Sequence, residues 1–437
     1  MKNLLHNLIP EDIFFVTPDI KRAIGIEDLL PNYHIICSYN DPLIPILRKK
    51  GAKIFCLEEI LQRDIPLVNN SGSLLSHPLV IKYINSHSHD IPHIMYFKPS
   101  VKIDFLIKAK GYYAIGNSSS LNEQFENKTN FFEFSHKYFP EFSVSGKVGM
   151  LNQLEFQGLS EDLDLPLVLQ FGHGWAGKTT YFIKTKKEFT SLSKKFPKTI
   201  VKVTRKIDGY TVLNNCCIYK DSVLIGPPAI QISDIPELYP KPGVTCGRQW
   251  PVKFLNKKET DKIYDVSKKV SRIMMKAGYK GFFGLDFLVD ASSYQIYLSE
   301  INARLTASAN FYTYLENGLN KIPLAIYHIA SFLKKNIPYS EESSEHIVGS
   351  QLIFRKNIPG AISSSTHFGV FKLKKGKPVF IRQEDYLPNK LENNEFIYIK
   401  RERKGRRETG EEISRIETKR EILLAPHKLN PWIKNLL

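Results

Sequence analysis

Residues 281–304 read GFFGLDFLVDASSYQIYLSEINAR, two apolar runs either side of a short polar turn. The first run holds one carboxylate, Asp286, between Leu285 and Phe287; the second holds Glu300, Asn302 and Arg304 at every second position. Side chains alternate between the two faces of a strand, so those three share a face, and Ile296 and Leu298 are expected to continue it as apolar filler. A charged carboxylate in an apolar strand is costly unless it is paired or metal-bound. Two carboxylates and an amide oxygen make a hard, oxygen-only donor set that suits Mg²⁺. Arg304 beside them can grip a phosphate or carboxylate with two parallel hydrogen bonds. A turn centred on Ser293 sets Asp286 opposite Glu300 on one face, whereas a centre half a residue away sets them on opposite faces. The bland alternative is a surface hairpin in which Arg304 merely pairs with Glu300.

A second segment, GHGWAGKT at residues 172–179, satisfies G-x-x-x-x-G-K-[ST], the phosphate-cradling loop of many nucleotide hydrolases. That loop must run directly into a helix, whose N-terminus completes the cradle. Here it runs into Thr179-Thr180-Tyr181-Phe182-Ile183, a β-branched and aromatic stretch with strand character. The segment therefore reads as a hairpin flap. Gly172, Gly174 and Gly177 would let backbone N–H groups approach phosphate oxygens, Lys178 would add a charge, and Thr179 and Thr180 hydroxyls.

Outward from these motifs the chain divides into three expected units, residues 1–117, 118–335 and 336–437. In the first, DIFFVT, YHIICSY, AKIFCL and HIMYF read as buried strands alternating with helical stretches, an α/β layer with a parallel sheet. The second begins with one helix over residues 118–137, capped by Ser119 or Ser120 with Glu123 completing a capping box. It continues through short strands and a long helix ending at Gly278. The third, after a polar stretch at 334–345, alternates VGSQLIF, FGVFKL, PVFIRQ and EFIYIK and reads as a small β-rich domain.

The chain has 437 residues, of which 42% are hydrophobic, enough for large cores and against wholesale disorder. Five cysteines without a C-x-x-C pair argue against a disulfide scaffold or a common zinc framework, and adjacent Cys216 and Cys217 read as strand filler. The first residues make a poor signal peptide, and no apolar run approaches a membrane span, so a cytoplasmic location is expected. The net charge of +17 comes from lysines scattered along the sequence. The one dense run, KRERKGRR at 400–407, has acidic residues close behind it and reads as a solvated hairpin. Nucleic acid is accordingly not an expected partner.

In their order, a helix-borne Lys, a glycine flap, a hinge strand and then Asp…Glu-x-Asn-x-Arg, these residues resemble the ATP-grasp superfamily, in particular the biotin-carboxylase-like carboxylate–amine ligases. The resemblance implies an α/β (α+β) ATP-grasp fold with an N-terminal parallel-sheet domain before it. It also implies ATP with Mg²⁺, or Mn²⁺ in its place, and small-molecule carboxylate and amine substrates joined through an acyl phosphate; it allows a homodimer. Residue by residue, it implies ATP contacts at Lys128, at the flap and its flanks (Gln170, Gly172, Gly174, Gly177, Lys178, Thr179, Thr180) and at a hinge (Lys202, Val203, Thr204). Asp286, Glu300 and Asn302 resemble the metal ligands and Arg304 the arginine of the acyl-phosphate step, while Arg248 is a candidate for the substrate carboxylate. The sequence departs from the pattern at Gln170, where the family usually has Lys, at Lys202, where an acidic residue is frequent, and at Ala303, where Pro is usual. Lys178 or Lys202 could supply the charge missing at Gln170. A weakly catalytic ATP-binding regulatory protein on the same fold is the alternative.

Overall fold

Ile13 and Phe15 point into one apolar core with Ile35 and Cys37, while Phe14 and Val16 point into another with Ile36 and Phe55. Strands covered on both faces have no polar side to show, which is why these runs lack alternation. They form a five-stranded parallel sheet in the order Lys53–Cys56, Tyr33–Cys37, Ile13–Val16, His93–Tyr96, Tyr113–Ile115. Chain order reverses at the central strand, Ile13–Val16. The C-terminal ends of strands at such a point form a crevice where ligands bind in α/β sheets. The computed structural model describes residues 1–62, 68–174, 179–339, 347–355, 367–383, 386–400 and 410–437.

The middle of the chain builds two antiparallel sheets. The smaller runs Gly146–Met150, Ile200–Arg205, Leu167–Phe171, Thr180–Ile183. Leu167, Leu169, Ile183, Val201 and Val203 fill its core with the helices Phe156–Leu163 and Lys186–Lys195, while Val168, Gln170, Thr180, Lys202 and Thr204 face a cleft. The larger sheet has eleven strands. The expected β-rich strands after residue 347 are present, but they extend this sheet rather than forming their own: Gly349–Arg355 pairs with Gly247–Trp250, and Glu412–Thr418 follows on its other edge. That last strand, which the sequence reading did not identify, begins at Glu412, one of the acids behind the run read as a solvated hairpin, and lies inside the sheet with Arg415 and Glu417 buried. Residues 401–409 of the basic run lie outside the described residues. No helix among the described residues is long and apolar enough to cross a membrane.

The helix expected over 118–137 is two helices, Ser119–Glu126 and Lys128–Tyr138. The break is chemical. Asn127 leaves the helical conformation and its side-chain oxygen accepts from the backbone N–H groups of Thr129 and Asn130, capping the second helix. The first is capped by Ser118, one residue before the expected position, and Glu123 accepts from Asn127 instead of closing a capping box. Asn127 thus sets where Lys128 begins its helix. Asn127→Ala should lower stability by about 1 kcal/mol in a denaturant titration, with Asn127→Asp recovering most of it.

Candidate active site

The pairing of Gly281–Asp290 with Ile296–Asn302 sets Asp286 directly opposite Glu300 and Gly284 opposite Asn302, although the turn itself is centred half a residue before Ser293, with Val289 opposite Ile296. A β-bulge between Asp286 and Phe287 then shifts the pairing, so that Leu298 opposes Phe287. The bulge corrects the expectation for Ile296 and Leu298. Both lie in the core with Phe287 and Val289, on the face away from Glu300. Inserting one extra residue lets the same strand feed an apolar core at one end and a polar site at the other.

Asp286 and Glu300 lie on the floor of a cleft of about 2130 Å³, roofed by the smaller sheet. That exceeds the ~300–1,000 Å³ of a single small-ligand pocket. Like charges placed directly opposite each other repel. Solvent reaches Asp286 only through the cleft, so burial, with Glu300 adding to it, pushes its carboxyl up to about 7. Lys128 Nζ donates to Glu300 Oε2 at 2.8 Å. Asp286 has no such cation and accepts from Asn302 Nδ2 at 3.2 Å. Asn302 Oδ1 accepts from Arg304 at 2.8 Å, so the amide oxygen expected to ligate a metal is turned toward the arginine. A half-turn of the amide would exchange its two atoms. Among the described residues no three His, Cys, Asp or Glu side chains converge on a metal position. Two opposed carboxylates, one of them lacking a cation, are nonetheless a donor set that fits a hard divalent ion.

Arg304 is anchored by a residue that the sequence reading missed. Its Nε donates to Glu126 Oε1 at 3.1 Å, and Lys98 Nζ donates to the same oxygen at 2.7 Å. Burial alone would raise the Glu126 carboxyl; Arg304 and Lys98 bring it down to about 2. The signal was available, because an acid in the last turn of a helix opposes the helix dipole and needs a compensating partner. The Arg304 guanidinium lies 5.1 Å from the Phe97 ring centroid, and Arg22 approaches the same ring at 4.6 Å. Arg22, Phe97 and Lys98 all follow C-terminal ends of strands at the reversal point of the parallel sheet.

No protein-family model and no curated protein sequence matches the chain. Solved structures do. N5-carboxyaminoimidazole synthase from Aspergillus clavatus, in complex with ADP and 5-aminoimidazole ribonucleotide, matches at a TM-score of 0.58 and 13% identity over 98% of each chain. Biotin carboxylase from Campylobacter jejuni, as an ATP complex, matches at 0.59 and 14% over 94% of this chain and 88% of its own. The biotin carboxylase domain dimer of Hydrogenobacter thermophilus 2-oxoglutarate carboxylase, solved with MgADP and bicarbonate, matches at 0.60 and 13% over 95% and 86%. The fold is ATP-grasp.

Within the ATP-grasp fold the remaining expected residues separate clearly. Gln170, Thr180 and Lys202 come together on the roof: Gln170 pairs with both in register, and its Nε2 donates to Thr180 Oγ1 at 3.2 Å. Lys202 is only 7% exposed, and burial, then Lys128, lowers its amine to about 8. Gly172 and Gly174 are required by close packing. A Cβ at Gly172 would lie 2.9 Å from Asn127 Nδ2, and one at Gly174 1.6 Å from Thr179 Oγ1. The Gly172 carbonyl accepts from the Lys128 backbone N–H at 3.0 Å, tying the hairpin to the Lys128 helix. Gly177 and Lys178 lie outside the described residues.

Val203 does not fit its expected part as an adenine-pairing hinge. Its side chain is in the core, and it pairs in register with Lys147 on one side and Leu169 on the other. Thr204 is paired in the same way, so only its side chain faces the cleft. Open backbone begins beyond the strand end: among the described residues, neither Lys206 nor Ile207 has a backbone–backbone hydrogen bond, and both line the cleft. Arg248, instead of lying in a solvated loop, is on the strand Gly247–Trp250 and 3% exposed at the cleft surface.

The raised Asp286 carboxyl fixes a pH dependence. Its ordinary value is 3.8, so between there and about 7 the folded protein keeps a proton that the unfolded chain releases, and stability falls as pH rises. Asp286→Asn should remove that slope. Its melting temperature should match wild type near the lower limit and exceed it near the upper one; a lower Tm throughout would contradict the assignment.

Proposed function

We propose that this chain is an ATP-dependent carboxylate–amine ligase. The single observation that carries the reading is the Asp286–Glu300 pair on the cleft floor, in one cleft with Gly174, Thr179 and Thr180 and beside Lys128 and Arg304. The nucleotide complexes of the three solved neighbours support it.

A substrate carboxylate oxygen attacks the γ-phosphorus of ATP, and the bond to the leaving ADP oxygen breaks. The amine nitrogen then attacks the acyl carbon, phosphate leaves, and the amine gives up a proton as the amide forms. Such a phosphoryl transfer leaves the protein to position groups and neutralise charge. Asp286 and Glu300, with Asn302 after its amide turns, would hold a Mg²⁺ or Mn²⁺ ion, which supplies charge neutralisation at the phosphate oxygens. Lys128 is released from Glu300 to a phosphate as that pair is used elsewhere. Arg304, held by Glu126 and stacked near Phe97, meets the transferring phosphoryl group. Thr179, Thr180 and the backbone at Gly172 and Gly174 cover the phosphates and keep water from the acyl phosphate, with Gly177 and Lys178 assigned to the same flap. The open backbone at Lys206–Ile207 takes the adenine edge in place of Val203. A homodimer belongs to the same proposal, since one neighbour is a domain dimer.

Gln170 does not favour a weakened enzyme. Lys202 sits directly across from it on the next strand and faces the same cleft, so the charge usually carried on the flap strand is supplied one strand over. Its amine, lowered by burial, would be raised again by an arriving phosphate.

ADP release measured against panels of amino acids and dipeptides tests the activity. Glu300→Gln should reduce turnover by about 10²–10³-fold with the fold intact; turnover at the wild-type rate would refute the role given to the carboxylates. Lys202→Gln should weaken ATP binding about tenfold or more. The swap Gln170→Lys with Lys202→Gln should recover it, and isothermal titration with ATP and Mg²⁺ reads both.

A further inference from the structure

Arg248 is buried, and its Nε and Nη1 have no hydrogen-bond partner. A guanidinium out of water is costly unless an anion or a full set of acceptors meets it. Its strand neighbours in register are the neutral Gln231 and Gln351. Besides Asp286, the charged groups acting most on it are Arg22, Arg415, Glu412 and Arg355, three cations and one anion. That anion is already engaged, because Glu412 takes Arg415 at 2.6 and 2.8 Å through two bonds. Arg355 spends its donors on the Thr245 and Gly410 carbonyls, which carry no charge. Among the described residues, neither Arg22 nor Arg248 has a carboxylate within ion-pair distance.

These arginines come from all three parts of the sequence. Arg22 follows the first strand of the parallel sheet, Arg248 sits in the larger sheet, and Arg355 and Arg415 come from the strands beyond residue 347. All four line the same cleft as Asp286 and Glu300. The strand order places Arg248 three strands from Asp286, roughly 14 Å across the sheet. That spacing is between backbones, and the Arg248 guanidinium still acts on the Asp286 carboxyl. Arg22 and Arg304, both close to the Phe97 ring, lie in the interval.

We propose that Arg22 and Arg248 bind an anionic group of the substrate remote from the reacting atom, either a phosphate ester or a second carboxylate. The molecule joined at the Arg304 end would then be a phosphorylated or dicarboxylic compound, anchored by its non-reacting end. Thirteen basic and seven acidic side chains line the cleft among the described residues, an excess suited to holding such a compound together with a nucleotide. The anion site itself does not depend on the ligase reading; only its service as a substrate subsite does.

Titration of the full chain with inorganic phosphate and with malonate tests this, with and without saturating MgADP. Wild type should bind at least one of the two. Phosphate alone would point to a phosphate ester, malonate to a dicarboxylic acid. Arg248→Met should weaken that binding at least tenfold while the ligand-free protein melts no lower than wild type, because an uncompensated buried charge has been removed. Arg22→Ala, at a half-buried position ending the 3-10 helix Ile20–Arg22, should weaken it as well, and serves if the Arg248 variant does not fold. Failure of the wild type to bind either anion at millimolar concentration overturns the proposal. So does unchanged affinity in the two variants, or an Arg248 variant that loses stability and keeps its affinity. Loss of MgADP binding alone bears on the ligase reading, since the nucleotide-free titration reads the anion site separately.

Discussion

Two carboxylates forced face to face on a water-poor cleft floor form the constraint around which the rest of this protein is arranged. Their repulsion is contained from two sides. Lys128 neutralises Glu300, while Asn302 reaches Asp286 and passes its load through Arg304 to Glu126 and Lys98. The chain breaks a helix at Asn127 so that Lys128 starts the next one at the cleft. It also inserts a bulge after Asp286 so that one strand serves both site and core.

The same cleft is over-supplied with positive charge at its far end. Among the described residues Arg22 and Arg248 have no carboxylate within ion-pair distance, in a position that only the joining of all three parts of the sequence creates. Continuity of the larger sheet across the expected domain boundary is what makes this possible. Strands beyond residue 347 hydrogen-bond directly to the strand carrying Arg248, so Arg355 and Arg415 are held in fixed register with it. The pairing of Gln170 with Lys202 follows a similar logic: adjacent antiparallel strands offer two positions in the sequence for a charge at one place in space.

Most of the parallel sheet was legible because its strands are short, apolar and flanked by polar turns; Tyr113–Ile115 escaped, being three residues long. The Asp286–Glu300 register was left open by the sequence: the turn is centred half a residue from Ser293, and the bulge brings the two acids opposite each other. The bulge was not legible, since Ser299 carries no residue-type mark of an extra position. Val203 was misassigned as a hinge because sequence gives the strand but not its two neighbours, and it is those neighbours that occupy its backbone. Glu412–Thr418 was hidden by the charged run before it, where buried Arg415 and Glu417 look like surface residues until their partners are known.

Residue order by itself determined the local chemistry of this protein: which segments extend, where helices start, and that Glu300, Asn302 and Arg304 fall on one face of a strand. These depend on contacts within a few residues or on strand alternation, which a linear string records. Only the tertiary structure decided that Glu126 holds Arg304, that Lys202 stands across from Gln170, and that four arginines from distant segments gather around one cavity. Those outcomes depend on which strands become neighbours, a consequence of burying whole sheet faces together rather than of any single stretch of sequence.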